Sequence, residues 1–196
     1  MSSKYILITC PNLINTIDEF KNRFQRYGFE YHIPEMKQQM TESDLYNLVD
    51  RFDAWVVGDD PVTRRIAEKA SSGRMTLIVK WGVGTDNIDR KACEDNGIKF
   101  FNTPGMFGNE VADSALSYLL CMYRKTHLID NKVRKGEWYK PLGTTLAGKK
   151  GLIIGFGDIG KHVYVRLKAF GVHAFIKDPY YVPPLPIYDD PWLKKW

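Results

Sequence analysis

No C-x-x-C pair occurs in this sequence. Its three cysteines, Cys10, Cys93 and Cys121, are an odd number, and each sits among apolar neighbours. That excludes a disulfide framework and points to packed thiols in a reducing cytoplasm. No apolar run approaches the roughly 18 residues that a membrane span requires. The start, Met1 to Lys4 followed by Tyr5 to Cys10, is too short in apolar residues for a signal peptide and has no small-residue cleavage site. It reads as an opening β-strand. Internal repeats are absent as well. Histidine is scarce: His32, His127, His162 and His173 all fall where a packed or solvent-facing ring is the simplest reading.

What is present is ordinary for a globular protein. With 196 residues, 44% of them apolar and 26% charged, the chain can build one ample core or two modest domains. The net charge of +5 comes largely from a basic stretch holding Arg124, Lys125, Lys132, Arg134, Lys135, Lys140, Lys149 and Lys150. Trp138 and Tyr139 lie among these charges, but no nucleic-acid motif accompanies them. A solvated face is expected, and no nucleic-acid partner.

The first hundred residues alternate between strand and helix patterns. Tyr5–Thr9, Phe29–Ile33, Asp53–Gly58, Thr76–Lys80 and Ile98–Phe101 are short β-leaning runs. Between them lie helical patterns: Ile17, Phe20, Phe24 and Tyr27 behind an Asn15 or Thr16 cap; a capping-box shape at Thr41–Asp44; a helix capped by Thr63; and Asp89–Asn96. Such alternation implies a parallel sheet with helices on both faces. From Asn109 to about Lys125 a single long helix is expected, with Val111, Ala115, Tyr118, Leu119 and Met122 on one side and Ala112, Leu116 and Leu120 widening the stripe. Residues 131–140 read as an arm. After Asp178, five prolines at 179, 183, 184, 186 and 191 exclude both helix and central strand.

Three motifs could carry chemistry. Gly155-Phe156-Gly157-Asp158-Ile159-Gly160 follows the apolar strand Leu152–Ile154 and opens a helix striped by Ile159, Val163, Leu167 and Phe170. A second strand then runs from Val172 to Asp178. This is the context a dinucleotide-binding turn needs. Gly155 permits the tight turn, Gly157 lets backbone approach a pyrophosphate, and Gly160 allows close helix packing. Asp178 would accept the ribose hydroxyls, which favours NAD over its 2′-phosphorylated form. Asp158 is unfavourable to phosphate and is expected to cap the helix or face solvent.

The second motif, Lys80–Asp89, lies at the carboxyl end of a predicted parallel strand, where ligands of open α/β sheets gather. Its Gly82 and Gly84 could shape an amide nest for a carboxylate, or the segment could be a tight turn with Asp86 or Asn87 capping a short helix. The third, Phe101–Gly105, reads as a linker or hinge.

Lys80–Asp89, then Asn102-Thr-Pro104, then Asn109–Asp113, then Gly155–Gly160 is an order that resembles the D-isomer-specific 2-hydroxyacid dehydrogenases. Gly58–Thr63 resembles their phosphoglycerate dehydrogenase branch. The resemblance implies an α/β chain with a flavodoxin-like parallel-sheet domain over 1–102. An incomplete Rossmann βαβ domain over 103–178 would follow, then an irregular tail over 179–196. It implies NAD as cofactor, held by Gly155, Phe156, Gly157, Asp158, Ile159, Gly160 and Asp178. It implies a small 2-hydroxy or 2-oxo acid as substrate, with Gly82 and Val83 offering N–H groups to its carboxylate and Asn102 lining the cleft. It also implies a homodimer or heterodimer through 109–145.

In that family a histidine paired with a glutamate removes the hydroxyl proton, and an arginine clamps the acid. No position of this sequence matches any of the three. The expectation is a truncated chain, inactive alone, whose small second sheet is marginal in water. The alternative is a non-catalytic NAD-binding or assembly module that pairs with a full-length dehydrogenase or a separately encoded second half.

Overall fold

A computed structural model describes residues 3–36 and 38–181. Most of the proline-rich tail, from residue 182 onward, lies outside the described residues. The chain divides after Pro104 into two compact units.

The first unit runs β1 (Lys4–Ile8), α1 (Pro11–Asn15), α2 (Ile17–Arg26), β2 (Phe29–His32) and α3 (Glu42–Tyr46). After a 3₁₀ turn at Val49–Arg51 come β3 (Ala54–Val57), α4 (Arg64–Ser71), β4 (Leu77–Lys80), α5 (Arg90–Asp95) and β5 (Lys99–Phe101). The five strands form one parallel sheet in the order β2-β1-β3-β4-β5, the flavodoxin-like arrangement. Ile6 pairs with Ala54, Ala54 with Leu77, and Leu77 with Lys99.

Because side chains alternate across a strand, the two faces of the sheet feed two cores. Leu7, Trp55, Val57 and Ile78 join Leu45, Ile66, Ala70 and Ala92 on one face. Ile6, Ile8 and Leu13 gather on the other, covered by Ile17, Phe20 and Phe24 of α2. Both faces are therefore buried, as a parallel sheet requires.

The caps are local. Thr41 and Asp44 complete a reciprocal capping box, Thr63 Oγ1 accepts the Ile66 N–H, and Asp89 Oδ1 accepts the Ala92 N–H. Thr16 does not cap α2. The short helix α1 precedes it, and the Thr16 hydroxyl donates back to the Asn12 carbonyl at 2.9 Å.

The second unit contains α6 (Gly108–Arg124), α7 (Thr126–Arg134), β6 (Lys150–Ile154), α8 (Asp158–Ala169) and β7 (His173–Lys177). β6 and β7 pair in parallel from Lys150–His173 to Ile154–Lys177, with α8 between them. The expected βαβ unit is thus present.

Two details differ from the sequence expectation. Helix α7 runs to Arg134, so residues 131–134 of the expected arm are helical, and the Arg134 Nε–H, shared between both Asp130 oxygens one turn back, supports that last turn. On α6 the buried stripe is Ala112 and Leu116 with Leu119, Leu120 and Tyr123 packed beside them, against Leu146, Ile153 and Leu167. Val111, Tyr118 and Met122, expected on the inner side, are exposed.

Candidate functional site

The first candidate region sits at the carboxyl ends of β1, β3 and β4. Three loops meet there through buried polar groups. Asp60 is fully buried, and its two oxygens accept from the Thr9 hydroxyl at 2.5 Å and the Met40 N–H at 2.7 Å. Thr9 in turn accepts from the Trp55 indole N–H at 2.7 Å. Asn87 donates to the carbonyls of Asp60 and Gly58, while its own carbonyl accepts the Val62 N–H. Every buried polar atom of this knot has a partner, which makes it rigid rather than costly.

Lys80 ends β4 inside the same knot. Its buried ammonium donates to the Gly58 carbonyl at 2.5 Å, to Asp59 Oδ1 at 2.9 Å and to Asn87 Oδ1 at 3.3 Å. Those three bonds use all three donors of the ammonium. The lysine side chain folds back beneath Gly82, where an added Cβ would stand 3.1 Å from Lys80 Cε, and Gly82 takes a φ of +154°. Glycine is required there by space and by backbone conformation together.

The Gly82 amide, expected to bind a carboxylate, already has a partner. Its N–H donates to Thr103 Oγ1 at 3.0 Å, and its carbonyl accepts the Thr103 N–H. Asn102 Nδ2 donates to the Val83 carbonyl at 2.9 Å. The 101–105 segment therefore fastens the β4 loop from one side. Among the described residues, the amides of Val83 and Gly84 donate to no protein acceptor. The two neighbouring amides without a protein acceptor are thus those of Val83 and Gly84, whereas the sequence reading named Gly82 and Val83. Asp59, Lys80, Trp81, Gly84, Asp86 and Asn87 line a cleft beside these amides.

The second candidate region lies wholly in the other unit, between β6 and α8. Gly155 takes φ +90°, and its N–H donates to the Lys177 carbonyl, tying the turn to the end of β7. Cβ atoms added at Gly155 or Gly157 would meet nothing within 4 Å, whereas one at Gly160 would fall 2.1 Å from the Gly155 carbonyl oxygen. Gly157 caps α8 through backbone alone, and the first intrahelical bond runs from Lys161 to Gly157. The amides of Asp158, Ile159 and Gly160 therefore face outward from the helix start with its partial positive charge. The Asp158 carboxylate does not cap the helix. It turns toward His162 Nδ1 at 3.4 Å and lies where a Cβ on Gly108 would be.

Asp178 closes the turn, accepting from the Phe156 N–H and the Tyr180 N–H, each at 2.7 Å. These two bonds, Phe156 first, hold its carboxyl below the ordinary aspartate value. A depressed folded value means the contribution is complete above the unfolded pKa and lost as pH falls through the folded one. The Phe156 amide resonance is therefore expected to stay fixed from neutral pH into the ordinary carboxylate range and to move only below it. A midpoint at or above the ordinary aspartate value, in an NMR pH titration, would contradict this anchor.

Sequence reading gave the Asn109–Asp113 motif no mechanical role. Arg166 of α8 donates to Asp113 Oδ1 at 2.6 Å and to Asn109 Oδ1 at 3.2 Å, so this motif pins α6 to the nucleotide-type helix. Of the histidines, His162 contacts the Asp158 carbonyl at the start of α8, while His32 stacks on Phe52, His127 lies 3.3 Å from Cys121 Sγ, and His173 begins β7. Burial pushes the Cys10 and Cys93 thiols above the ordinary value, which leaves them inert.

Residues 6–180 match the family described as D-isomer specific 2-hydroxyacid dehydrogenase, catalytic domain. The chain is similar to a hydroxypyruvate reductase of Thermotoga maritima, with 32% identity over 145 residues, which is 72% of this chain and 47% of that protein. It is 34% identical over 149 residues to a D-3-phosphoglycerate dehydrogenase of Methanocaldococcus jannaschii, covering 74% of this chain and 28% of that one. Among solved structures, an NAD+-bound 3-phosphoglycerate dehydrogenase of Entamoeba histolytica shares the fold. Its TM-score is 0.76 at 23% identity, over 93% of this chain and 56% of that one. The chain spans about half the length of these relatives, or less.

Proposed function

The chain belongs to the D-isomer specific 2-hydroxyacid dehydrogenase family, and on that premise we propose that its two turns are the acid-binding and cofactor-binding parts of an NAD-linked oxidoreductase. The reaction is oxidation or reduction at C2 of a small 2-hydroxy or 2-oxo acid. In this reading residues 1–102 serve the substrate and 103–178 open the cofactor domain.

One observation carries the reading. The same chain presents two sets of amides at strand ends with no acceptor among the described residues, Val83 with Gly84 and Asp158 to Gly160, and each set suits an anion. The nucleotide fits the residues present. The open space over Gly157 is what a pyrophosphate needs and what any side chain there would fill. The amides of Asp158, Ile159 and Gly160 would hold that pyrophosphate, and the Asp178 carboxylate, with two lone pairs on each oxygen, would accept ribose hydroxyls. When bound, the nicotinamide supplies a hydride acceptor or donor.

This chain's own part in the chemistry is orientation. Val83 and Gly84 would hold the acid carboxylate while Lys80, Asn87 and Thr103 keep their loop in shape. Among the described residues no histidine lines the cleft at Val83 and Gly84, so in this reading the family's histidine base comes from elsewhere. General acid–base catalysis contributes roughly 10²- to 10⁴-fold. The 196-residue polypeptide, purified alone, is therefore expected to turn over at least about a hundredfold slower than an intact dehydrogenase in an NADH absorbance assay with glyoxylate or hydroxypyruvate. A rate comparable to an intact enzyme sinks the proposal that the base comes from elsewhere.

A second reading, assembly through 109–145, draws on the exposed apolar side of α6, where Val111, Tyr118 and Met122 meet solvent. In it the chain docks onto a second copy, a full-length dehydrogenase, or a polypeptide supplying the remaining half. Light scattering of the pure chain, alone and mixed with an intact dehydrogenase, separates these outcomes. Among the described residues no helix is long and apolar enough to cross a membrane.

A further inference from the structure

The charges lining the first cleft restrict what the rest of the acid can be. We infer that the cleft accepts a 2-hydroxy or 2-oxo acid whose remaining end is uncharged and hydroxyl-bearing, and that it discriminates against a phosphorylated end. The inference rests on reading Val83 and Gly84 as the carboxylate nest.

Among the described residues lining the cleft, Lys80 is the one cation. It is buried, and its three donors are spent on Gly58, Asp59 and Asn87, so no free N–H of that ammonium is left for a second anion. Two carboxylates share the wall. The Asp59 side chain is 76% exposed, with one oxygen on Lys80 and the other open to the cleft. Asp86 is exposed and forms no hydrogen bond or ion pair among the described residues. Its Oδ2 lies 3.9 Å from where a Gly84 side chain would start, beside the nest itself.

Two carboxylates against one ammonium leave the cleft wall net negative, although the whole chain is net positive. The nest amides can outweigh this for a carboxylate that they contact directly. A phosphate a few ångströms farther along the substrate has no such donors and meets like charge. A hydroxyl at the same place can donate to the open oxygen of Asp59 or to Asp86. Trp81, held edge-on against Phe20 at 6.3 Å, supplies an apolar wall suited to the carbon chain.

The test compares D-glycerate with D-3-phosphoglycerate, which differ only in the group at C3. Each is titrated into the ¹⁵N-labelled 196-residue polypeptide while the Val83 and Gly84 amides are followed. D-glycerate is expected to shift both amides, and D-3-phosphoglycerate to need at least about tenfold more ligand at low salt. Raising the salt to about 1 M, where the screening length falls to about 3 Å, is expected to close most of that gap. Asp86→Asn is expected to narrow it several-fold at low salt.

Equal or tighter binding of the phosphorylated acid, with both amides shifting, overturns the charge selectivity and leaves the nest standing. A gap that neither salt nor Asp86→Asn reduces also overturns it. If neither ligand moves the two amides in a sample whose Trp55 indole resonance reports a folded core, the nest reading falls and this inference with it.

Discussion

Gly160→Ala is expected to disable the second unit, with its thermal transition lost or lowered beyond detection and nucleotide binding reduced at least tenfold. The added methyl would meet the Gly155 carbonyl oxygen at 2.1 Å and its carbon at 3.1 Å. Both are backbone atoms of a residue whose N–H is tied to the Lys177 carbonyl, so the contact cannot be relieved by turning a side chain. Helix α8 would have to move more than an ångström off β6. Overpacking of this kind costs roughly 1–3 kcal/mol in a large core. Among the described residues of this unit the buried apolar side chains are few, Ala112, Leu116, Leu146, Ile153, Leu167, Val172 and Phe175, which leaves little reserve.

Gly157→Ala is the informative partner. Its methyl would enter open space, so the fold is expected to keep its melting temperature while a pyrophosphate loses its approach. Calorimetric melting and NAD titration of the two variants should separate: stability lost at 160, binding alone lost at 157. Equal melting temperatures for Gly160→Ala and the parent would refute the close-packing role.

Trp55→Ala carries the second large effect. Trp55 is fully buried at the centre of the five-stranded sheet, and truncating such a side chain costs roughly 3–5 kcal/mol. Its removal also takes the indole N–H from Thr9, whose hydroxyl holds the buried Asp60 carboxylate. Trp55→Phe keeps most of the volume and removes the donor, so it should cost about 1–3 kcal/mol, the usual penalty for unpairing a buried polar group. Urea denaturation followed by circular dichroism measures both. A loss under about 1 kcal/mol for Trp55→Ala would mean that this residue is not the centre of the core.

The α/β architecture was legible because each strand and helix carries its own signal. Alternating runs such as Tyr5–Thr9 and Thr76–Lys80 and the caps at Thr41 and Thr63 are all local features, whereas the cap of α5 is Asp89 and not Asp86 or Asn87. The glycines of the 155–160 turn were legible for the same reason, since each answers a requirement of the backbone around it. What sequence could not show was pairing between distant positions. Asp60 reads as one more acidic residue in a turn until β1 and β3 lie side by side and Thr9 comes within reach. Lys80 looks like a charged strand end, yet it is buried because the β3 loop supplies its acceptors. The hydrogen bond from the Gly82 amide was not legible because its partner, Thr103, is twenty-one residues on. The inner face of α6 was misjudged because both of its sides are apolar, and only the position of α8 decides which one is covered.

The pairing order of the large sheet also bears on how the protein is made. Each strand after the first docks on one that has already left the ribosome, and the widest loop to close is the one bringing Ala54 to Ile6. The Lys80 ammonium finds its acceptors at Gly58, Asp59 and Asn87, all nearby in the nascent chain. The sheet can therefore be finished, with the loop after β4 set, while residues beyond Pro104 are still being synthesised.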